Sequence, residues 1–164
     1  MTLRPAAKSD EEFLWEMLYY ASHMDEEGAP AASARTNPDL AGYVENWGER
    51  DGDLGFIAVG ADGRNLGAAW LRVMPAGSPL HRMGARETPE LAIAVAPEAI
   101  GAGVGTMMLR RLIEAARGTH HAIALSVRAG NPAARLYERV GFATVGSIVN
   151  RVGTVSDVMK LDLT

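Results

Sequence analysis

The sequence predicts a single mixed α/β domain that covers residues 1–164. Three observations lead to this prediction. The chain has 164 residues, which is the length of one domain with one sizeable core. Its apolar residues alternate along the chain between helical spacing and the short runs that are typical of strands. Two predicted strands in the second half are each followed by a short turn and then a helix, as in other α/β domains.

The first half of the chain is predicted to hold a strand, two helices and a hairpin. The predicted elements are a strand at 2–6, a helix at 10–22, a loop at 23–37, a helix at 38–50 and strands at 54–60 and 66–74. Ser9 or Asp10 is suited to cap the first helix, because these side chains accept hydrogen bonds from free N–H groups. The hairpin is indicated by the Asp62-Gly63 pair between two apolar runs.

The second half alternates strands and helices before it closes with two strands. The predicted elements are an irregular segment at 75–89, a strand at 91–95, a helix at 103–117, a strand at 122–127, a helix at 131–141 and strands at 142–150 and 154–163. Asn131 caps the second of these helices with Pro132 at its first position, and Gly141 ends it. The proline-rich segment at 75–89 is long enough to be a functional loop.

The composition excludes several classes of site and partner. The chain has no cysteine, so it has no disulfide, no thiolate metal site and no thiol nucleophile. Its net charge of −4 lacks the basic excess of a general nucleic-acid binder. It contains no apolar run long enough to span a membrane. Because residues 1–10 lack the apolar core of a signal peptide, we expect a cytoplasmic protein that binds neither nucleic acid nor membranes.

The segment that carries most chemical information is a glycine-rich turn between a strand and a helix. Gly101, Gly103 and Gly105 follow the strand at 91–95. Glycines let backbone N–H groups approach a ligand, and a helix N-terminus adds partial positive charge, so the turn suits a phosphate or pyrophosphate. A Walker A loop is excluded because the segment has no lysine. A dinucleotide fingerprint is disfavoured because Thr106 stands where its third glycine would be.

Two motifs resemble those of the GNAT family of acyl-CoA-dependent N-acetyltransferases. The sequence around the glycine turn resembles the family's motif A, (Arg/Gln)-x-x-Gly-x-(Gly/Ala), with Gly103 and Gly105 on its pattern positions and Ile100 in place of the Arg or Gln. The segment 125–142 resembles motif B. The matching residues there are Asn131, Ala133, Leu136, Tyr137, Gly141 and Phe142. The two motifs together cover roughly a third of the chain, from about 90 to 142.

The resemblance implies a fold and a cosubstrate. It implies a mixed, mostly antiparallel sheet of six or seven strands with a central parallel pair, flanked by about four helices. It also implies that acetyl-CoA is bound as cosubstrate, through backbone groups of the strand and turn. The residues implied to bind it are Ile93, Ala94, Val95, Ile100, Gly101, Ala102, Gly103, Val104, Gly105, Thr106, Asn131 and Ala133.

The implied reaction is direct transfer of an acetyl group to an amine in a ternary complex, since a cysteinyl intermediate is impossible here. The resemblance assigns Tyr137 as the acid that protonates the leaving thiolate, and a phenol with a pKa of about 10 is suited to this role. Glu90 is the best candidate for the general base, and alternation along the strand places it on the face of Ala92 and Ala94. Glu87 and Glu98 are weaker candidates. No metal is expected, because the histidines lack the spacing of a metal site.

Several alternatives stay open at this point. Tyr137 could only pack on the sheet, and Glu90 could be a solvated carboxylate. Ile100 keeps open a non-catalytic module that binds or senses acyl-CoA. The acidic run Asp25-Glu26-Glu27 would favour a cationic amine as acceptor, although such runs are usually only solvated. The acceptor itself is not identified, and a homodimer is possible through the apolar strands near the C-terminus.

Overall fold

The computed structural model describes residues 1–74, 78 and 88–164. The strands are β1 (Thr2–Pro5), β2 (Leu54–Val59), β3 (Asn65–Arg72), β4 (Glu90–Val95), β5 (Ala122–Arg128), β6 (Ala143–Val149) and β7 (Val155–Asp162). The helices are α1 (Glu11–Ala21), α2 (Ser33–Thr36), α3 (Pro38–Ala41), α4 (Val104–Ala116) and α5 (Ala133–Arg139). Short 3-10 turns lie at Lys8–Asp10 and Pro97–Ala99. Among the residues that the structure describes, no helix is both long enough and apolar enough to cross a membrane.

The strands form one mixed sheet of seven strands in the order β1-β2-β3-β4-β5-β7-β6. All neighbours pair antiparallel except β4 and β5, which are parallel and pair only through Glu90 and Ala124. Beyond that pair the two central strands separate toward their C-terminal ends. The predicted fold is therefore confirmed, including the parallel pair at its centre.

Helices cover both faces of the sheet, and the side chains of β4 divide between the two layers. Leu91 packs in the core beneath α4, with Met108 and Leu112 from that helix. Ala92 packs in the second core, beneath α1, with Leu14 from that helix. Since successive side chains of a strand point to opposite faces, Glu90 lies on the α1 face together with Ala92, with which it was predicted to share a face.

The predicted helix at 38–50 is wrong beyond its first turn. The helix α3 ends at Ala41, and turns follow as far as Gly48. Asn46 and Gly48 have φ values of +56° and +88°, and left-handed residues interrupt a right-handed helix. The guanidinium of Arg72 also donates to the carbonyl oxygens of Gly42, Glu45 and Asn46, which in a longer helix would accept backbone N–H groups. A distant buried cation thus replaces the helical hydrogen bonds.

Other differences from the predicted elements are smaller. Within the predicted loop at 23–37, residues Ser33–Thr36 form the short helix α2. Asp10 precedes α1 but makes no capping hydrogen bond, because its carboxylate accepts from Arg4 and from the backbone N–H of Ala7. Asn131 does accept the N–H of Ala133 at 2.9 Å, as expected of a cap. Most of the predicted loop at 75–89, with Glu87, lies outside the described residues.

Candidate active site

A cleft of about 1080 Å³ opens where β4 and β5 separate. We define it by its walls, which are formed by some of the residues in the segments 20–26, 38–43, 90–100, 126–128, 131–137 and 148–156, together with Met74 and Ser78. A smaller cavity of about 150 Å³ lies in the gap itself, between Ile93 of β4 and Ser126 of β5. Because β4 and β5 pair only through Glu90 and Ala124, the cleft joins the two faces of the sheet.

The cleft brings together both predicted catalytic residues. Glu90 reaches it from the α1 face, and Tyr137 reaches it from α5 on the opposite face. Of the predicted cosubstrate ligands, those that line the cleft are Ile93, Ala94, Val95, Ile100, Asn131 and Ala133. The cleft walls in the described residues do not include Glu98, which is exposed and faces Arg64 at 3.5 Å.

The glycine turn lies beside this cleft, and residues 101–106 are not part of its walls. Gly101 and Gly103 have φ values of +91° and +79°, a conformation that favours glycine. A Cβ atom at either position would meet no other atom within 4 Å, so the turn is open toward solvent. Gly103 stands at the N-cap of α4, a helix of 13 residues, while the side chain of Val104 is buried in the core. This geometry leaves backbone N–H groups free to meet an anion.

Glu90 is buried, with only 4 % of its surface exposed. Burial raises the pKa of its carboxyl to about 7, while hydrogen bonds from Tyr43 and Ser78 act in the opposite direction. A carboxyl with this pKa can accept a proton at neutral pH and release it again. Tyr43 was not singled out by the sequence, because 47 positions separate it from Glu90 and no motif connects them.

Tyr137 is half-buried, and burial raises its pKa to about 12. The phenol is therefore protonated at neutral pH. Its ring packs edge-on against Phe142, with 5.9 Å between ring centroids. Among the described residues its hydroxyl forms no hydrogen bond, so the proton can be donated to a molecule in the cleft.

The predicted role of Asp25, Glu26 and Glu27 as one cationic-amine site is corrected in part. Glu27 pairs with Arg151 at 2.7 Å and with Arg128 at 3.0 Å, and these contacts lower its pKa to about 2. Its charge is therefore already neutralised. Asp25 and Glu26 line the cleft, and Glu26 Oε2 lies 2.8 Å from Nδ1 of His23.

The described residues hold no group of three or more His, Asp or Glu side chains placed to bind a metal ion. The arrangement instead suits an organic substrate that binds in a cleft open to both faces of the sheet. A buried carboxyl and a protonated phenol approach one cleft from opposite faces, and the glycine turn lies beside it. Such a site suits proton transfer to and from a substrate that bears phosphate.

Comparison with known proteins agrees with this geometry. The model of the Acetyltransferase (GNAT) family matches residues 6–142. The mycothiol acetyltransferase of Pseudarthrobacter chlorophenolicus is 33% identical over 147 residues, which are 87% of this chain and 42% of that protein. The mycothiol acetyltransferase of Saccharomonospora viridis is 37% identical over 107 residues, which are 62% of this chain and 33% of that protein. The chain thus spans less than half the length of these curated relatives.

Solved structures share the fold. A spermidine N-acetyltransferase chimera from Vibrio cholerae superposes with a TM-score of 0.69 at 21% identity, covering 99% of this chain and 95% of that one. A GNAT-family protein from Bordetella pertussis superposes with a TM-score of 0.71 at 18% identity, covering 97% of this chain and 93% of that one. The family match over most of the chain, and the parallel strand pair that opens beside a glycine turn, lead to one conclusion: the chain belongs to the Acetyltransferase (GNAT) family.

Proposed function

We propose that this chain transfers an acetyl group from acetyl-CoA to an amine. The single observation that carries the proposal is the cleft between β4 and β5, because one continuous space has Glu90 and Tyr137 in its walls and the glycine turn beside it. Family membership supports the same chemistry.

Acetyl-CoA would enter from the side of the glycine turn. The pyrophosphate would lie against the backbone N–H groups of residues 101–106, at the N-terminus of α4. The pantetheine arm would then follow β4, whose edge toward β5 is unpaired beyond Glu90. Backbone groups of Ile93 and Val95 on that edge could pair with the amides of the arm, as adjacent strands pair with each other, whereas those of Ala94 point to β3. Ile100, Asn131 and Ala133 would border the arm.

The reaction would proceed by direct attack. The attacking amine is neutral and has already given its extra proton to solvent. Its nitrogen bonds to the acetyl carbonyl carbon, and the bond between that carbon and sulfur breaks. Glu90 takes the proton that the nitrogen loses, and Tyr137 gives a proton to the departing sulfur, so the products are an amide and free CoA. Proton exchange with solvent then returns both residues to their starting states. The placement of Glu90 and Tyr137 on opposite faces matches entry of amine and thioester from opposite sides.

The raised pKa of Glu90 determines how the rate should depend on pH. The base is active only when its carboxyl is deprotonated. With a pKa of about 7, the active fraction rises as pH increases through 7. We therefore expect kcat/KM to fall tenfold for each pH unit below this value and to reach a plateau above it.

The acceptor is proposed to be a small cationic amine. The carboxylates of Asp25, Glu26 and Asp39 line the cleft and would attract positive charge. The named relatives are a mycothiol acetyltransferase and a spermidine N-acetyltransferase, whose names do not agree on one acceptor. We further propose a cytoplasmic protein. Exposed valines at positions 145, 149, 152 and 155, around the edge strand β6, support the prediction of a homodimer.

A ligand melt combined with a turnover assay tests the function. We expect acetyl-CoA and CoA to raise the Tm by several degrees, and NAD and ATP to leave it unchanged, since a ligand at 100 times its Kd adds about 2.7 kcal/mol. Because the chain has no cysteine, a thiol reagent will report only CoA released by transfer. The acceptors to screen are spermidine, amino sugars and free amino acids.

In the same assay, Glu90→Gln should lower kcat by about 100-fold or more and leave the CoA melt shift unchanged. Glu114→Gln, an exposed change on α4, is the matched control. Stabilisation by NAD or ATP instead of CoA would contradict the proposal. A second candidate function is a non-catalytic acyl-CoA sensor, which Ile100 favours because an exposed apolar side chain stands where the family carries Arg or Gln. Stabilisation by CoA without transfer to any amine would support that candidate.

A further inference from the structure

The carboxylate of Glu90 has a direct partner that the proposed chemistry does not use. The hydroxyl of Tyr43, from the turn after α3, donates a hydrogen bond to Glu90 Oε2. Tyr43 also lines the cleft, beside Glu90. The bond occupies Oε2 of the carboxylate.

The position of Tyr43 is determined by the neighbouring strand β3. Trp70 Nε1 donates to the carbonyl oxygen of Tyr43 at 2.9 Å. Arg72 Nη1 donates to the carbonyl oxygen of Glu45 at 2.6 Å, and Arg72 Nη2 pairs with Asp53 at 2.8 Å. Trp70 and Arg72 are both fully buried. These contacts attach the turn to β3, which is itself paired with β4, so the phenol and the carboxyl belong to one rigid unit.

Other groups near Glu90 could also affect its charge. Arg72 stands opposite Glu90 in the β3–β4 ladder, but its guanidinium is bound to Asp53 and to backbone carbonyls. Ser78 donates a further hydrogen bond to Glu90. The segment 20–26 brings Tyr20, His23, Asp25 and Glu26 to the cleft. The other walls bring Asp39, Arg128, Tyr137 and Arg151. Among these groups, those that contact the Glu90 carboxyl are Tyr43 and Ser78.

We propose that Tyr43 is a positioning residue, which holds the Glu90 carboxylate in one orientation and in its charged form. The proposal rests on the proposed function of Glu90 as the base. A hydroxyl that donates to a carboxylate favours the charged form, whereas burial favours the neutral form. Tyr43 thus keeps a buried carboxyl able to accept a proton near neutral pH.

The proposal predicts the sign of a measurable shift. The hydrogen bond from Tyr43 lowers the pKa of Glu90, so its removal in Tyr43→Phe should raise that pKa above 7. We expect an increase of about one pH unit or more, as is usual for the loss of a hydrogen bond to a buried charge. Tyr19→Phe is the matched control, because in the described residues that hydroxyl donates to the carbonyl oxygen of Ala29, at 2.6 Å, and not to Glu90.

The experiment is a ¹³C NMR titration of the glutamate side-chain carboxyls in the ligand-free protein. The Glu90 signal is assigned by its loss in Glu90→Gln. A higher midpoint in Tyr43→Phe, with an unchanged midpoint in Tyr19→Phe, supports the proposal. Equal midpoints in Tyr43→Phe and wild type would overturn it. In the acetyl-transfer assay, the acid limb of kcat/KM should move by the same amount, whereas a purely structural loss would lower the rate equally at every pH.

A measurement on the wild type covers the case in which Tyr43→Phe fails to fold. The ¹³Cζ signal of Tyr43 should change with the same midpoint as the Glu90 carboxyl, because the two groups share one proton bridge. Independent midpoints would overturn the proposal. Failure of the proposed function gives a different result. The wild type would then transfer no acetyl group, or Glu90→Gln would keep the wild-type rate, while the NMR midpoints would still report on Tyr43.

Discussion

The two ends of the cleft are built in different ways. At the glycine turn, the ligand would meet backbone N–H groups of exposed residues, and the side chain of Ile100 is 72% exposed. At the other end, the buried carboxylate of Glu90 accepts a hydrogen bond from Tyr43, and the buried Arg72 holds the turn of Tyr43 through its backbone carbonyl oxygens. Backbone recognition depends on conformation and tolerates changes of side chain. A buried polar network requires each partner, because an unsatisfied group there costs free energy.

The largest effect on stability is expected in the buried pair of Arg72 and Asp53. Their side chains are 0% and 3% exposed, so Asp53→Asn leaves the Arg72 guanidinium buried without its counter-charge. We expect the free energy of unfolding to fall by about 3–5 kcal/mol. Urea unfolding, followed by circular dichroism, measures this change.

The exposed pair of Arg64 and Glu98 is the matched control for that experiment. Its side chains are 70% and 54% exposed. Glu98→Gln should cost less than about 1 kcal/mol, since solvent screens such pairs. An equal loss of unfolding free energy in the two variants would show that no buried network holds the turn after α3. The two ends of the cleft would then not differ in the way described above.

A second prediction concerns the hydroxyl of Tyr137, which lies between the two ends. Tyr137→Phe keeps the edge-on contact with Phe142 and removes only the proton donor. We expect kcat for acetyl transfer to fall by about 100-fold with little change in stability or in Kd for CoA, in the range for loss of a general acid. Stopped assays at saturating acetyl-CoA measure kcat, and calorimetry measures Kd. An unchanged kcat would show that Tyr137 only packs on the sheet and does not act as the acid.

The smallest effect is expected at the glycine turn. Ile100→Arg places a cation where the related motif has one, and should tighten CoA binding about two- to fivefold at low salt, as expected for an exposed ion pair. Val145→Arg adds the same charge at an exposed position of β6, outside the cleft walls, and should leave Kd unchanged. Calorimetry at two salt concentrations checks both variants. A gain of 100-fold would mean that side chains, not the backbone, dominate binding at this end.

Much of the fold could be predicted because its signals are local. The Asp-Gly turn, the Asn131 cap and the glycines before α4 each act within a few residues, and all of these elements form where they were expected. The prediction of a helix at 38–50 failed because Arg72, which binds the carbonyl oxygens of Gly42 and Asn46, lies 26 to 30 positions further along the chain. The ion pairs of Glu27 could not be predicted for the same reason, since its partners Arg128 and Arg151 are more than 100 positions away.

The sequence by itself determined the strand–turn–helix units, the positions of both family motifs and the placement of Glu90 and Tyr137 near the ends of those units. These features depend on hydrophobic period, turn residues and caps, which are properties of neighbouring residues. Only the tertiary structure decided that Glu90 is buried, that Tyr43 donates to it, and that Glu27 is already neutralised. Burial and hydrogen bonding depend on which distant segments meet, and these contacts set the charge and the proton affinity of each side chain.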